Sequence, residues 1–357
     1  MNDHVKLPVE VDELDAPWFT QALGLDVTEA TVLDRSSGTT GRARVALRGD
    51  PELPPTVFVK LPPFDERQRT LVDQTGMGVA EARFYRDLAR EVRVRVPGVW
   101  FAETDGRGYV MVLEDLVASG CRFPSPDDAD VAMRARDIVE QLAALHAPFW
   151  ESDRFESDGD LAWLAERGMR GGGGGRTFIT RAVDAIGDQL DESFHRITET
   201  YLAHAPDIVE LWQEGAGTLV HGDSHLGNLF VDVRDDTGGV GGRTGFLDWA
   251  VVCRAPGMRD VAYVLCNSVP ASVRETIERD LVERYCELVA VEGVALDPGE
   301  AWDQYRLHAV YSWVAATSTA GMGSKWQPIS IGLGATKRAT AACAHLDSVG
   351  LIEERLA

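Results

Sequence analysis

Beyond residue 114 the spacing of apolar residues becomes predominantly helical, and that change restricts the fold to a sheet-bearing first part and a mainly helical second part. Thr31 to Arg35 and Arg42 to Arg48 read as strands joined by the turn cluster Ser36-Ser37-Gly38-Thr39-Thr40-Gly41. Thr56 to Leu61 is a third strand that runs into a proline pair, and Val99 to Glu103 and Tyr109 to Leu113 are two more around the turn Asp105-Gly106-Arg107-Gly108. Pro17 and Gly24 bound a short opening helix, Ala16 to Leu23. Between the third and fourth strands Ala80, Phe84 and Leu88 recur every four residues and predict an amphipathic helix over Val79 to Arg90. Beyond Glu114-Asp115-Leu116 the helical period dominates, with helices expected over Asp127 to His146, Asp184 to Tyr201, Ser272 to Val291 and Pro298 to Ala316. The expected class is α+β, with an N-terminal antiparallel-sheet lobe carrying one key helix (1–113), a hinge (114–118) and a larger, mainly helical lobe (119–357). A length of 357 residues suits two such units. Two low-complexity stretches, Gly171 to Gly175 and Asp235 to Gly242, read as surface loops.

Charge excludes one broad class. With 57 acidic against 35 basic side chains the formal net charge is −22, whereas a nucleic-acid binder needs a local Lys/Arg surplus to neutralise phosphates. The five cysteines, Cys121, Cys253, Cys266, Cys286 and Cys343, are scattered and never spaced as CxxC, so they read as small buried hydrophobes in a reducing compartment. The first residues lack a basic start followed by an apolar core, which makes a cytoplasmic location the expectation. Leu307 to Ser324 carries no formal charge but contains His308, Ser312, Thr317, Ser318 and Thr319; it reads as a buried helix followed by a loop, not as a membrane span.

The chemistry concentrates in Leu219 to Val231, where short apolar runs flank His221-Gly222-Asp223-Ser224-His225-Leu226-Gly227-Asn228. This is a strand, loop, strand pattern that presents reactive groups on the loop. A further apolar run, Gly245-Phe246-Leu247, ends on Asp248. Carboxylates at buried strand ends need partners, and a divalent cation is one. Phosphoryl transfer uses an aspartate that orients and deprotonates the attacking hydroxyl, an asparagine five residues on and a later aspartate for magnesium. Asp223, Asn228 and Asp248 occur in that order. The same chemistry needs a glycine turn over the phosphates, a strand lysine and a helix glutamate paired with it, and Gly38 to Gly41, Lys60 and Glu81 fall where the strand and helix reading puts them.

Taken together, these residues resemble the aminoglycoside phosphotransferase superfamily, whose fold is similar to that of protein kinases. The segments Phe58-Val59-Lys60, Glu81-Ala82-Arg83-Phe84-Tyr85-Arg86, Val112-Leu113-Glu114-Asp115-Leu116 and Leu142-Ala143-Ala144-Leu145-His146-Ala147 resemble its ecdysteroid-kinase-like and choline-kinase-like branches more closely. The resemblance spans roughly residues 30 to 320 and implies an ATP- and magnesium-dependent small-molecule kinase. It implies Asp223 as catalytic base, Asn228 and Asp248 as magnesium ligands, Lys60 on the nucleotide phosphates with Glu81 orienting it, and Glu114 to Leu116 as the hinge whose backbone meets the purine. His221 and His225 are expected to brace the loop, and Asp260 to accept hydrogen bonds from it. The glycine turn, Gly38-Thr39-Thr40-Gly41, departs from the GxGxxG of protein kinases. ATP and GTP both remain open, because backbone groups read the purine edge.

Other readings are weighed against this one. His221, Asp223, His225 and Asp248 have a spacing that a metal-dependent hydrolase could use, yet that reading leaves Lys60, Asn228 and the glycine turn unexplained. A binding module without catalysis leaves the full set of polar groups without a purpose. No GK[ST] follows the glycine turn and GxSxG is absent, so neither P-loop nor serine-hydrolase chemistry is supported. His146 reads as a core histidine and Asp115 as a helix cap. For the acceptor, Ala301 to Trp326 holds only Asp303, Arg306 and Lys325 as formal charges but Trp302, Tyr305, Tyr311, Trp313 and Trp326 as aromatics. A pocket made from these suits a partly apolar alcohol better than a polycationic aminoglycoside, unless the rings belong to the core.

Overall fold

The computed structural model describes residues 5–169, 175–235, 241–323 and 328–357. Trp326, most of the glycine run and most of the 235–242 stretch lie outside the described residues. Strand propensity and turn chemistry produce one antiparallel sheet of β1 (Val27–Ser37), β2 (Gly41–Gly49), β3 (Thr56–Leu61), β4 (Val99–Thr104) and β5 (Tyr109–Glu114), in the order β1-β2-β3-β5-β4. The β1–β2 turn is closed by a hydrogen bond from Gly38 N to Thr40 O at 3.0 Å. Alternation along the strands sorts the two faces. Ala43, Val45 and Leu47 of β2, Val57, Val59 and Leu61 of β3, and Val110 and Val112 of β5 form a buried core with Trp18 and Phe19 of α1 (Ala16–Leu23). The other face carries Arg42, Arg44, Phe58 and Lys60, with Arg42 paired directly across from Lys60. Asp15 caps α1 by accepting from Trp18 N at 2.8 Å, and Gly24 ends it at φ 68°.

After α2 (Glu66–Asp73), the helix expected over Val79 to Arg90 is α3 (Met77–Arg83) continued by one π turn, Phe84–Leu88, in which Ala89 N reaches back to Phe84 O at 2.9 Å. Gly78 allows α3 to approach β5: a Cβ there would lie 2.1 Å from the Tyr109 ring.

The remaining elements are α4 (Val131–His146), α5 (Ala162–Met169), α6 (Gly175–Ile186), α7 (Glu192–Leu211), β6 (Gly217–Val220), β7 (Leu229–Asp232), β8 (Arg243–Phe246), β9 (Cys253–Pro256), α8 (Met258–Ser268), α9 (Ala271–Val291), α10 (Pro298–Met322), α11 (Ile329–His345) and α12 (Ser348–Leu356). β6 pairs with β9, and β7 with β8. The single helix expected over Asp184 to Tyr201 is instead the end of α6 and the start of α7. Gly187–Gln189 form a 3-10 turn, and Asp191 accepts from Phe194 N at 3.2 Å to start the second helix. α7 itself bends where His204 leaves helical geometry, two residues before Pro206. α10 extends six residues beyond the expected Ala316, so Leu307 to Met322 is helix throughout. Among the described residues no helix is long and apolar enough to cross a membrane. All five cysteines are free, four of them buried.

The chain divides into two compact units. The first comprises Met1–Arg122 with Phe230–Thr237 and Gly245–Val251; the second comprises Phe123–Leu229, Gly238–Thr244 and Val252–Ala357. Asp248 therefore belongs with the sheet, and Asp223 and Asn228 belong with the helices.

Candidate active site

In the sheet unit, β3 carries Lys60 into a buried position where Nζ lies 2.6 Å from each carboxylate oxygen of Glu81 on α3. Nζ also donates to Asp248 Oδ1 at 3.1 Å. Burial alone would lower the lysine pKa, but the Asp248 and Glu81 charges outweigh it and the ammonium is stabilised overall. Burial pushes the Glu81 carboxyl up to about 7, with Lys60 opposing and Asp248 adding to the rise. Asp248 follows β8 with φ 64°, the left-handed conformation that aspartate tolerates better than most residues. Immediately after it, the buried Trp249 stacks on Phe84 of the π turn, with centroids 3.8 Å apart and planes 10° apart. This stack ties the helix that carries Glu81 to the segment that carries Asp248.

The glycine turn is open at one end and packed at the other. A Cβ on Gly38 would meet nothing within 4 Å, whereas one on Gly41 would lie 2.5 Å from Pro62 O and against the Phe64 ring. Thr40 is buried and Thr39 partly exposed. After β5, Glu114 receives Arg95 Nη2 at 2.6 Å and Gly98 N at 3.0 Å. Asp115 accepts from Ala118 N at 3.1 Å within a turn, not at the start of a helix as expected, and also from Arg44 Nη2 at 2.8 Å, which the sequence did not reveal. Leu116 is buried, and its carbonyl accepts from Cys121 N.

In the helical unit, β6 delivers His221 and Gly222 onto the carboxylate of Asp260 at the start of α8. Asp260 Oδ2 accepts from His221 N at 2.7 Å and Oδ1 from Gly222 N at 2.9 Å, while Ser224 Oγ donates to Asp260 O at 3.0 Å. His146 of α4 is the fourth partner, with Nε2 3.2 Å from Asp260 Oδ2 and Nδ1 2.8 Å from the Tyr285 hydroxyl. A carboxylate accepts only, so Nε2 donates to Asp260, and in the neutral ring Nδ1 accepts a hydrogen bond from the Tyr285 hydroxyl. Burial would raise Asp260, but the His146 hydrogen bond, the His146 and His221 charges and the Gly222 N–H outweigh it and hold its carboxyl below the ordinary value.

This anchored loop presents Asp223, whose side chain is 32% exposed. Asp223 N donates to His221 Nδ1 at 3.2 Å, and Asn228 Nδ2 donates to both Asp223 O and Oδ2 at 2.9 Å. His225 Nδ1 accepts from Gly227 N at 3.0 Å, and its Nε2 lies 3.7 Å from Asp223 Oδ2. Sequence reasoning missed Tyr263 of α8, whose hydroxyl hydrogen-bonds Asp223 and whose own pKa is driven well above 10 by burial first and then by that charge. It also missed the contact from Tyr311 of α10, which donates to Gly222 O at 3.0 Å. Tyr263 lies one helical turn after Asp260, and that spacing was the available signal.

Because both Asn228 Nδ2 bonds go to acceptors, the amide is oriented with Oδ1 turned away from Asp223. That oxygen in the helical unit, and separately the Asp248 carboxylate in the sheet unit, are each hard donors of the kind magnesium takes. The zinc-type set does not assemble: His221 and His225 spend Nδ1 on backbone N–H groups, and among the described residues no group of three His, Cys, Asp and Glu side chains is placed to hold a metal. Of the aromatics expected around an acceptor, Tyr305 and Trp313 are fully buried core. Trp302 stacks on Tyr305 with the Arg279 guanidinium 4.6 Å above its ring. Tyr311 alone among the described ones touches the loop.

The sequence profile of the phosphotransferase enzyme family matches residues 35–308. No curated protein sequence matches the chain. A Ralstonia eutropha JMP134 protein assigned as an aminoglycoside phosphotransferase is similar in structure, with TM-score 0.54 and 14% identity, covering 95% of this chain and 99% of the other. The GDP complex of a variant aminoglycoside 2'-phosphotransferase-IIIa gives 0.51 at 15% identity, covering 90% and 95%. Choline kinase from Cryptosporidium parvum Iowa II gives 0.50 at 11%, covering 92% and 90%. These likenesses identify the fold as the two-lobed, kinase-like α+β class.

Proposed function

The chain belongs to the phosphotransferase enzyme family, and from that premise we propose that it transfers the γ-phosphoryl group of ATP, with magnesium, to the hydroxyl of a small and partly apolar alcohol. The observation that carries this reading is the buried Lys60 held between Glu81 and Asp248, residues 21 and 188 positions away in sequence. Burying an ammonium with two carboxylates is costly unless the arrangement serves a ligand, and a phosphate chain is the ligand such a lysine suits. Asp248 and Asn228 are the residues that would hold magnesium, which would supply charge neutralisation along the phosphates. Glu81 keeps Lys60 charged and fixed, and the Glu114 to Leu116 backbone meets the purine.

In the transfer itself, the acceptor oxygen forms a bond to the γ-phosphorus while the bond to the β,γ-bridging oxygen breaks, ADP leaves, and the hydroxyl proton passes to the Asp223 carboxylate. Asn228 and Tyr263 hold that carboxylate, and Asp260 holds the loop beneath it. Aromatic hydroxyls beside Asp223 favour an acceptor of low charge. The test is a transfer screen with ATP or GTP and magnesium against amino alcohols, sugars, hydroxylated lipids, steroids and aminoglycosides. Acceptor-dependent release of diphosphate nucleotide is expected, and it should vanish in Asp223→Ala while nucleotide affinity stays within about twofold; loss of a general base typically costs about 10²–10⁴ in rate. Full turnover in Asp223→Ala would sink the assignment.

A further inference from the structure

The face of the sheet that presents Lys60 carries three cations. Arg42 stands directly across from Lys60 in the β2–β3 register, and Arg44 lies two residues further along the same face. Two of the three are engaged by carboxylates. Lys60 is held by Glu81 and Asp248. Arg44 is held by Asp115 at 2.8 Å and by Asp34 at 3.4 Å. Arg42 is half-buried and makes no ion pair among the described residues; its one hydrogen bond runs from Nε to Thr40 Oγ1 at 3.3 Å, inside the glycine turn. Its charge is nevertheless felt at Lys60, Glu81 and Tyr109, which sets it at the edge of the Lys60 cluster.

A guanidinium withdrawn from water without a counter-ion is unfavourable, and its planar fork matches phosphate oxygens two at a time. The turn beside it is short of the backbone donors that a longer glycine loop supplies. Gly41 is packed against Pro62 and Phe64, and only Gly38 faces open space. Lys60, outnumbered by its two carboxylates, adds no net positive charge for a magnesium-nucleotide that is still anionic. Arg42 is the cation of this face with no carboxylate within ion-pair distance among the described residues.

Resting on the nucleotide reading above, we propose that Arg42 is a phosphate ligand of the bound nucleotide, supplying from a side chain the grip that the short glycine turn does not supply from its backbone. Arg42→Gln and Arg42→Lys are compared with the wild-type chain by calorimetric titration with adenosine, ADP and ATP in the presence of magnesium, with melting of the nucleotide-free proteins as the folding control. A lost charge-assisted hydrogen bond predicts that Arg42→Gln weakens ADP and ATP by about ten- to a hundredfold while adenosine changes less than about twofold. Arg42→Lys should recover part of the loss, and the salt dependence of ADP binding should flatten in Arg42→Gln. Unchanged ADP affinity in Arg42→Gln, or an equal loss for adenosine, overturns the proposal while leaving the nucleotide reading standing. A wild-type chain that binds neither ADP nor ATP overturns the nucleotide reading itself, and this proposal with it.

Discussion

Replacing Asp260 by asparagine tests whether one buried carboxylate holds the loop that presents Asp223. Oδ2 accepts from His221 N and His146 Nε2, and Oδ1 from Gly222 N, all with Asp260 fully buried. Asparagine offers one oxygen and one NH2. Whichever way the amide turns, its NH2 faces at least one N–H donor, so one bond is lost outright and the others cease to be charge-assisted. A hydrogen bond to a charged group contributes roughly 1.5–3 kcal/mol, and an unpaired buried donor adds to the loss. The sum is about 3–5 kcal/mol, similar to removing one partner of a buried charge pair. For a unit of this size that lowers the melting temperature by roughly 10 °C. Because Asp223 N hangs on the His221 ring, displacement of the loop by about 1 Å should reduce kcat about a hundredfold. Magnesium-free nucleotide affinity should not change, since Lys60, Glu81 and Asp248 belong to the other unit. The wild-type Asp260 pKa lies below the ordinary aspartate value of 3.8, so its contribution is present above that pH and lost on further acidification; Asp260→Asn should lack that acid limb. Melting, steady-state kinetics and calorimetry read the three effects. Wild-type melting and turnover in Asp260→Asn would refute the network as the loop's anchor, and lower melting with unchanged kcat would confine Asp260 to stability.

Three other outcomes follow from the sheet unit. Glu81 is held at about 7 against the ordinary glutamate value of 4.5, so its stabilising contribution is complete below 4.5 and lost as pH rises through 7; the melting advantage of wild type over Glu81→Gln should decay across that window, and parallel pH curves would contradict it. Asp248→Asn should weaken magnesium-dependent nucleotide binding in calorimetry while leaving magnesium-free binding much less affected, and equal affinities with magnesium would remove Asp248 from the metal site. Trp249→Ala deletes a fully buried ring stacked on Phe84 and should cost about 3–5 kcal/mol in unfolding experiments, with Trp249→Phe retaining most of the stability; a loss under about 1 kcal/mol for alanine would mean the stack is not what joins the Glu81 helix to the Asp248 segment.

The sequence by itself determined the class of the fold and nominated the candidate reactive groups. Strand alternation, the glycine turn and the shift to helical period near residue 114 are short-range signals, and α1, β3, β5 and α9 lie within a residue of where they pointed. The spacing of Asp223, Asn228 and Asp248 is likewise local information. Where a break depends on competition between neighbouring preferences, as at Gly187–Asp191 between α6 and α7 or at the π turn after Arg83, periodicity ran straight through it. What each group touches was decided by tertiary structure alone. That Lys60 meets Asp248 across 188 residues, that His146 serves Asp260, that Tyr263 bonds Asp223 and that Tyr305 and Trp313 sink into the core depend on packing between elements distant in sequence. The same is true of Arg42, which differs from Arg44 and Lys60 in having no carboxylate partner among the described residues. Periodicity fixes which face a side chain occupies, but its partner on that face is fixed only when remote segments close and bury it.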